Sequence, residues 1–323
     1  MNIAILDDEF DTVRTLECYS QLAAHNVTIW RDHSKDTSVL VERLKDAEAI
    51  VMLRERTPIR ADLIAQLPKL KMLTLNGPYP HVDLDACTAR GVVLCAGKPR
   101  PSSATAELTW GLIICAMRQI PQQMASLKRG QWQTALGRGL RGRTLGVWGY
   151  GRIGQQVAAF GRAFGMKVLI WSRETGLASA RADGYAAAPS KQALFEEADV
   201  LSLHVRLNAE TRGMVTAEDL ARMKPTALIA NTSRAELIEP GALVAALKAG
   251  RPGMAAIDVF EKEPVTDLQQ PLLNMNNVVC TPHLGYVERD QLERYYNDQF
   301  NRVLAFEKGA PVDVANPQAL AAR

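Results

Sequence analysis

The sequence of 323 residues has no apolar run as long as the ~18 to 20 residues that a membrane-spanning helix requires. Its longest apolar segment, residues 108–117, is about half that length. The N-terminus reads M-N-I-A-I-L-D-D-E-F, with acidic residues where a secretory signal peptide has basic ones. We therefore expect a cytoplasmic protein that does not associate with membranes.

The sequence is also poor in cysteine, with five in the whole chain and no C-x-x-C pair among them. This odd number without paired spacing indicates neither a disulfide framework nor a zinc site, and we predict no metal ion. The sequence also lacks a strong excess of either positive or negative residues, since 38 Lys and Arg against 35 Asp and Glu leave a formal net charge of +3. Without a basic run, this weak charge argues against nucleic acid as a partner.

What the sequence does contain is a repeated alternation of short apolar segments, which predict strands, and longer amphipathic segments, which predict helices. In the first hundred residues the predicted strands are residues 2–6, 27–30, 49–53, 72–75 and 92–95, and the predicted helices are residues 12–24, 38–47 and 61–67. This alternation is typical of the α/β class, with a parallel sheet covered by helices on both faces.

A second strand and helix series begins at Thr144. Its predicted strands are residues 144–148, 167–171, 200–204, 227–231, 254–259 and 278–281, and a final helix covers residues 288–308. Before this series, residues 102–127 form one long helical pattern with Ser102 or Ser103 as its N-cap and a kink or break at Pro121. At roughly 150 residues per domain, the length indicates two domains.

A candidate nucleotide-binding turn connects the first strand and the first helix of the second series. The turn consists of Gly149, Tyr150, Gly151, Arg152, Ile153 and Gly154. In this context G-x-G-x-x-G is typical of dinucleotide-binding folds, because the glycines allow a tight turn, close approach of a pyrophosphate and close packing of helix on strand. The N-terminus of the following helix supplies N–H donors to the phosphates.

The position that distinguishes NAD from NADP carries no acidic residue. An NAD-preferring site normally has Asp or Glu at the end of the second strand to bind the ribose 2′-hydroxyl, whereas this sequence has Ser172 and Arg173. Ser172 does not repel a 2′-phosphate and Arg173 could pair with one, which favours acceptance of NADPH. The alternative is a solvent-exposed Arg173 with NAD held by other contacts, and the sequence leaves both open.

Three ionisable residues follow later strands, on the side where open α/β sheets bind ligands. They are Arg234 in N-T-S-R, Glu263 in F-E-K-E-P and His283 in T-P-H-L-G. Arginine binds a carboxylate through two parallel hydrogen bonds, histidine exchanges a proton near neutral pH, and a carboxylate beside a histidine orients it. Each residue alone has an ordinary surface or loop explanation, but the three together predict a catalytic set.

These motifs, taken in order, make the sequence similar to the D-isomer-specific 2-hydroxyacid dehydrogenase family, which includes phosphoglycerate dehydrogenase and glyoxylate/hydroxypyruvate reductase. The resemblance covers nearly the whole chain and rests on A-T-A-E-L-T-W-G-L, G-R-T-L-G-V-W-G-Y-G-R-I-G, L-A-R-M-K-P-T-A-L-I-A-N-T-S-R, A-A-I-D-V-F-E-K-E-P and N-V-V-C-T-P-H-L-G. It implies hydride transfer between NAD(P) and C2 of a small 2-hydroxy or 2-oxo acid. It also implies an NAD(P)-binding Rossmann domain, residues 102–284, inserted into a flavodoxin-like substrate domain of residues 1–101 and 285–323.

The resemblance assigns roles to individual residues. It implies that Arg234 binds the substrate carboxylate and orients the carbonyl, that His283 is the general acid and base, and that Glu263 is the partner of His283. Residues implied at the cofactor, in addition to the glycine turn, Ser172 and Arg173, are Thr105, His204, Thr232 and Asp258, the last at the nicotinamide carboxamide. Residues of the first domain implied at the substrate are Arg54, Asn76 and Gly77.

Departures from the family pattern leave the substrate open. The loop at residues 76–83 contains two prolines and a tyrosine, which we expect to reshape the substrate site. Ala235 replaces the glycine that commonly follows the catalytic arginine, and Arg206 adds a cation where the family commonly has proline after His-x.

Assembly and an alternative function also come from the resemblance. Family members are commonly homodimers, and the apolar helix near residues 110–124 fits burial against a second copy or inside the monomer. The alternative function is a dinucleotide-sensing interaction protein, like the transcriptional corepressors that share this fold.

Overall fold

The computed structural model describes residues 1–98 and 103–321, which form two compact units. The first unit contains residues 1–98 and 289–321, and the second contains residues 103–288. The chain returns to the first unit at Arg289 rather than at the expected Gly285, because the backbone of Gly285 is hydrogen-bonded within the second unit. Ser102, one of the two expected N-caps, lies outside the described residues.

The strands of the described residues are numbered β1 to β12 in chain order. They are β1 (Asn2–Ile5), β2 (Asn26–Ile29), β3 (Ala49–Val51), β4 (Met72–Asn76), β5 (Val93–Gly97), β6 (Thr144–Trp148), β7 (Lys167–Trp171), β8 (Ala186–Ala187), β9 (Val200–Leu203), β10 (Leu228–Asn231), β11 (Met254–Ile257) and β12 (Val278–Cys280).

The α-helices of the same residues are numbered α1 to α12. They are α1 (Thr37–Leu44), α2 (Ala61–Ala65), α3 (Leu84–Ala89), α4 (Ala104–Arg118), α5 (Ile120–Lys128), α6 (Arg152–Ala163), α7 (Glu174–Ala182), α8 (Lys191–Glu197), α9 (Ala217–Arg222), α10 (Ala242–Ala249), α11 (Arg289–Glu307) and α12 (Gln318–Ala321). Short 3₁₀ helices cover Val13–Thr15, Glu17–Leu22, Ala235–Leu237 and Pro271–Asn274. None of the helices in this described part combines the length and hydropathy that crossing a bilayer requires.

Each unit has its own parallel sheet, so the predicted α/β class is confirmed. In the first unit the strand order is β2-β1-β3-β4-β5, the flavodoxin-like order. In the second unit the order is β12-β11-β10-β9-β6-β7-β8, which is the Rossmann arrangement with β6 as its first strand and one further strand at the edge. Leu145 of β6 is paired with Val168 on one side and Val200 on the other, so β6 lies at the centre.

Both faces of the second sheet are buried, as the continuous apolar strands predict. Neighbouring residues of β10 point to opposite faces: Ile229 packs in one apolar cluster with Phe195 and Leu201, while Ala230 packs in the other with Val147 and Ile170. The carboxyl ends of these strands are therefore rigidly placed, and the residues that follow them form the candidate site.

The helix predicted over residues 12–24 is wrong, since two 3₁₀ helices occupy this segment. Leu16 between them is extended, with φ −82° and ψ 142°. The backbone N–H groups of Glu17 and Cys18 donate to the carboxylate of Glu293 on α11, at 2.9 and 2.6 Å. At the start of the second 3₁₀ helix these N–H groups therefore donate to a side chain and not to backbone carbonyl groups of the preceding turn. As a result, one continuous helix does not run through Leu16.

The break predicted at Pro121 is confirmed. Helix α4 ends at Arg118, Gln119 adopts a left-handed conformation with φ 54°, and α5 begins at Ile120. Proline is tolerated in the first turn of α5 because the N–H that it lacks has no helical acceptor there. Ser103 occupies the N-cap position of α4, where its hydroxyl donates to Glu107.

Candidate active site

The carboxyl edge of the second sheet has a topological switch point beside β6. The chain passes from β6 to β7 on one side and later reaches β9 on the other side of β6. In open α/β sheets this divergence leaves a crevice outside the strand ends, where ligands bind. The glycine turn follows β6 directly, so it borders that crevice.

The three glycines of the turn differ in why they are needed. Gly149 has φ 98°, and a Cβ there would lie 2.5 Å from the carbonyl oxygen of His204. A Cβ on Gly154 would lie 2.0 Å from the carbonyl oxygen of Gly149. No described atom comes within 4 Å of the place where a Cβ of Gly151 would stand. Gly149 and Gly154 are therefore required by the protein's own packing, whereas Gly151 leaves open space at the start of α6.

The open space at Gly151 fits the pyrophosphate of a dinucleotide. Gly151 is the N-cap residue of α6, and no described side chain caps this helix. The N–H groups of Arg152 and Ile153 begin the helix and point to its N-terminal side, where anions are favoured. The side chain of Ile153 packs on the core, as does that of Tyr150, whose hydroxyl donates to Asp183 at 2.7 Å. For Tyr150 and Ile153, therefore, only the backbone faces the turn.

Ser172 and Arg173 follow β7 at the same edge. The hydroxyl of Ser172 accepts a hydrogen bond from the N–H of Tyr150 at 3.3 Å, which ties the two strand ends together. Arg173 is exposed at the start of α7, and its side chain forms no hydrogen bond or ion pair with the described residues. Glu174, the acidic residue next in sequence, is paired with Arg181 at 2.8 Å.

His204 follows β9 on the other side of the switch point. Its Nε2 lies 2.8 Å from the hydroxyl oxygen of the buried Ser202. Burial lowers the pKa of His204 to about 4, so its imidazole is neutral at physiological pH. Its carbonyl oxygen packs on Gly149, which makes His204 part of the wall of the glycine turn.

Thr105, Thr109 and Thr232 form a short chain of hydroxyl groups between α4 and the end of β10. Thr109 donates to the carbonyl oxygen of Thr105 at 2.7 Å, so its single hydroxyl proton is used there. In the 2.7 Å hydrogen bond between the hydroxyls of Thr109 and Thr232, Thr232 is therefore the donor and Thr109 the acceptor. Thr105 itself donates to the carbonyl oxygen of Gly285 at 2.6 Å.

Arg234, Glu263 and His283 lie in the turns that follow β10, β11 and β12. His283 Nδ1 is 2.6 Å from Glu263 Oε2, and the N–H of Phe260 donates to Glu263 Oε1 at 2.9 Å. Burial raises the pKa of Glu263, but the hydrogen bonds from His283 and Phe260 and the positive charges of His283 and Arg234 outweigh it, and the net effect is a lowered pKa. Glu263 is therefore an ionised acceptor at neutral pH.

The turn that carries Arg234 is braced from within. Asn231 at the end of β10 is buried, its side-chain oxygen accepts from the N–H of Ser233 at 3.0 Å, and its amide donates to the carbonyl oxygen of Arg234 at 2.8 Å. The Arg234 side chain is exposed, with one guanidinium N–H donated to the carbonyl oxygen of Ser233 at 2.7 Å. Its other donors point to no described acceptor, so they are available to a ligand.

Asp258, which follows β11, is hydrogen-bonded to the segment on either side of His283. Its carboxylate is fully buried and accepts three hydrogen bonds, from the hydroxyl of Thr281 at 2.6 Å and from the N–H groups of Leu284 and Gly285 at 2.7 and 2.8 Å. These bonds use both oxygens, although an ionised carboxylate can accept about four hydrogen bonds in all. The contact of Asp258 with the nicotinamide that the resemblance implies therefore stays a prediction.

The three residues expected at the substrate belong to the first unit, and each of them forms hydrogen bonds there. The amide of Asn76 donates to the carbonyl oxygen of Tyr295 at 3.0 Å, and its oxygen accepts from Arg302 at 2.7 Å. The N–H of Gly77 donates to the carbonyl oxygen of Gly97 at 2.9 Å. These groups hold the strand ends together, and the contact of Asn76 and Gly77 with a substrate stays a prediction. Arg54, with φ 61°, is exposed after β3.

Several residues of the site carry no signal of their role in the sequence. Thr281 meets Asp258 across 23 residues, and Thr109 meets Thr232 across 123 residues. Tyr286 is buried with its ring 5.7 Å from that of His283, at an interplanar angle of 78°. Hydroxyl and aromatic side chains of this kind are frequent in any sequence, so only the fold identifies these three as neighbours of the site.

The chain belongs to the D-isomer specific 2-hydroxyacid dehydrogenase family. Residues 110–285, more than half of the chain, match the NAD binding domain of that family. The family indicated by the motifs is therefore confirmed, and the chain is an oxidoreductase that acts on the CH–OH group of a 2-hydroxy acid with a nicotinamide dinucleotide.

Three relatives show the extent of the similarity. An oxidoreductase from Ralstonia solanacearum, described provisionally as a D-3-phosphoglycerate dehydrogenase, has a TM-score of 0.94 and 51% identity, and the match covers 99% of this chain and 98% of the other. A glyoxylate reductase from Thermococcus litoralis is 32% identical over 92% of each chain. A D-3-phosphoglycerate dehydrogenase from Methanocaldococcus jannaschii is 40% identical over 76% of this chain, but the match spans only 47% of that longer protein.

Proposed function

We propose that this protein interconverts a small 2-oxo acid and its D-2-hydroxy acid, with His283 as general acid and base, Glu263 as its partner and Arg234 as the substrate-binding cation. The observation that carries this proposal is the 2.6 Å contact between His283 Nδ1 and Glu263 Oε2, beside the charge of Arg234. When bound, the nicotinamide dinucleotide supplies or accepts the hydride at C2 of the substrate.

The proton roles of His283 follow from the state of Glu263. Because Glu263 is an ionised acceptor, Nδ1 of His283 carries a hydrogen and donates it to the carboxylate. Nε2 has no hydrogen-bond partner among the described residues, so it is the nitrogen that exchanges a proton with the substrate oxygen. General acid catalysis of this kind raises the reaction rate by about 10²- to 10⁴-fold.

Arg234 has two functions in this proposal. A guanidinium matches a carboxylate with two parallel N–H donors, which fixes the orientation of a 2-oxo acid. The same cation stabilises the negative charge that develops on the carbonyl oxygen in the reduction. Asn231 supports both functions because it holds the backbone of the turn on which Arg234 is mounted.

The substrate class is supported by relatives that act on acids of this type, namely glyoxylate reductase and D-3-phosphoglycerate dehydrogenase. The test is oxidation of NADH and NADPH with glyoxylate, hydroxypyruvate, pyruvate, 2-oxoglutarate and 4-methyl-2-oxopentanoate. We expect saturable turnover with at least one of them. Cofactor binding without turnover of any acid would instead support the dinucleotide-sensing interaction protein.

We propose further that the protein accepts NADP(H). The proposal is supported by the unpaired Arg173 at the end of β7 and by the ion pair of Glu174 with Arg181, which leaves no acidic side chain to repel a 2′-phosphate. We expect Arg173→Ala to lower kcat/KM for NADPH by about 10- to 100-fold, the value of a charge-assisted hydrogen bond, and to leave kcat/KM for NADH unchanged.

The control for Arg173 is Lys167→Ala, which removes an exposed cation at the opposite end of β7 and affects neither cofactor. A strong NADH preference in the wild-type protein, or an equal effect of Arg173→Ala on both cofactors, would contradict a role for Arg173 at the 2′-phosphate.

We also propose a homodimer, on a surface different from the expected one. Most apolar side chains of helix α4 pack inside the second unit, which is the alternative of burial within the monomer. Trp110, for example, is buried, donates to the carbonyl oxygen of Val157 at 3.1 Å and stacks on Phe164. The proposal is supported instead by residues 129–139, an arm that is exposed throughout and contains Trp132 at 76% and Leu136 at 92% exposure.

The arm suits a second copy of this chain because its backbone is fixed while its apolar side chains are uncovered. The N–H of Arg138 donates to the carbonyl oxygen of Met117 at 2.7 Å, and Gln123 donates to that of Ala135 at 2.8 Å. Exposed apolar side chains on such a fixed segment are typical of an interface.

Light scattering tests the homodimer, and we expect twice the chain mass of 35.5 kDa. The double variant Trp132→Asp, Leu136→Asp should give the mass of one chain, because two charges would have to be buried in the interface. Leu268→Asp, at an exposed leucine elsewhere in the second unit (79%), is the matched control and should keep the wild-type mass. A wild-type mass of one chain at all concentrations would reject the homodimer.

We propose a cytoplasmic location on chemical grounds. All five cysteines are free thiols, as expected in a reducing compartment. Fractionation of the native host cells tests this location.

A further inference from the structure

One carboxylate holds both sides of the segment that carries His283. The carboxylate of Asp258 accepts from Thr281, two residues before His283, and from the N–H groups of Leu284 and Gly285, the two residues after it. The three distances, from 2.6 to 2.8 Å, are those of charge-assisted hydrogen bonds. Since Asp258 is buried and follows β11, a strand that is paired on both sides by β10 and β12, it is a rigid support for this segment.

Thr105 adds a second support from a different element. Its hydroxyl, on the first turn of α4, donates to the carbonyl oxygen of Gly285 at 2.6 Å. The Gly285 residue is thus held at its N–H by Asp258 and at its carbonyl by Thr105. A Cβ on Gly285 would lie 3.2 Å from Asp258 Oδ2 and 3.4 Å from Thr105 Cγ2, so this position is closely enclosed by the two residues that hold it.

The backbone of His283 shows why such support is needed. His283 has φ 54°, a left-handed conformation that residues with a side chain adopt at a cost. Strained residues of this kind persist where the surrounding structure fixes them, and they are frequent at active sites. The groups that fix the residues on either side of His283 are those of Asp258 and Thr105.

We infer that Thr105 and Asp258 are positioning residues that hold the segment from Thr281 to Gly285, and through it the imidazole of His283, in place against Glu263. The inference rests on the proposed function of His283. It gives Thr105 and Asp258 a role different from the cofactor contacts that the family resemblance implies, and the two roles have different consequences when the side chains are changed.

The experiment compares Thr105→Val, which removes the hydroxyl donor and keeps the volume, with Thr105→Ser, which keeps the donor. We expect Thr105→Val to lower kcat by about 3- to 10-fold, the value of one hydrogen bond, with the Kd of NADH and NADPH changed by less than about twofold. Thr105→Ser should restore kcat. The matched control is Thr266→Val, at an exposed threonine of the loop after β11.

A second readout does not depend on turnover. The chain has five histidines, so the imidazole NMR signals of His283 can be assigned from the one set missing in His283→Gln. We expect these signals to shift in Thr105→Val and to return in Thr105→Ser. Asp258→Asn should shift them further in the same direction, since an amide cannot accept from all three donors at once.

Two results would overturn the inference. Weaker NADH or NADPH binding in Thr105→Val, with kcat and the His283 signals unchanged, would assign Thr105 to the cofactor. Unchanged His283 signals in Asp258→Asn would show that the segment is held by other groups. If no 2-oxo acid is turned over at all, the proposed function fails, while the NMR comparison still decides whether Thr105 and Asp258 set the position of His283.

Discussion

Replacement of His283 by glutamine is expected to lower kcat/KM for the best 2-oxo acid by about 10²- to 10⁴-fold. Glutamine has a similar size and can still donate to Glu263, but it cannot give a proton to the carbonyl oxygen or take one back. The Kd of the dinucleotide should stay within about twofold, because the glycine turn and the ends of β7 and β9 are untouched. Steady-state kinetics and a fluorescence titration of NADH or NADPH measure the two quantities.

Glu263→Gln separates the orientation of the imidazole from its proton transfer. The amide keeps a hydrogen-bonding group near Nδ1 but loses the ionised acceptor, so the loss of kcat should be smaller than in His283→Gln. The lowered pKa of Glu263 keeps the carboxylate ionised at neutral pH, and its contribution is lost as the pH falls through that lowered value. Unchanged turnover in His283→Gln would remove His283 from the mechanism.

Replacement of Arg234 by glutamine is expected to have an effect of similar size, at least ~10²-fold in kcat/KM, but with a different signature. Loss of the guanidinium weakens binding of the substrate carboxylate, which raises KM, and also removes a charge that stabilises the transition state, which lowers kcat. Inhibition by oxalate, a small dicarboxylate, should weaken in parallel because it needs the same cation.

Arg234→Lys tests whether geometry matters as well as charge. Lysine keeps the positive charge but has no planar pair of donors, so we expect it to recover only a part of the activity lost in Arg234→Gln. Arg212→Gln, at an exposed arginine after β9, is the matched control and should behave as wild type. A loss confined to cofactor affinity in Arg234→Gln would contradict a role at the substrate.

The parts of the fold that the sequence predicts best are strands with buried neighbours on both sides. The predicted bounds of β6 and β7 match the structure residue for residue, because each is a run of apolar residues that ends at a turn signal. The segment at residues 12–24 fails for a physical reason: its helical periodicity is real, but the acceptor for Glu17 and Cys18 is Glu293, about 275 residues away. Periodicity contains no information about such a partner.

The candidate site likewise contains residues whose position the sequence predicts and residues whose partners it does not predict. Arg234, Glu263 and His283 could be predicted because each follows a recognisable strand and their chemistries complement one another. Asn76 could not be understood in this way, since both ends of its amide are taken by α11, at Tyr295 and Arg302. Contacts between side chains distant in sequence decide which polar residues of a loop remain free for a ligand, and a single sequence does not contain them.

The hydrogen bond between Thr105 and Gly285 has a consequence for how the chain folds. It joins two residues that are 180 positions apart in sequence and that lie close to where the chain enters and leaves the second unit. The entropic cost of closing this long loop is therefore offset by contacts within the second unit, in its own sheet and helices. We expect residues 103–288 to fold as a closed body with adjacent ends, so that the two separated segments of the first unit are brought within reach of each other by the folding of the sequence between them.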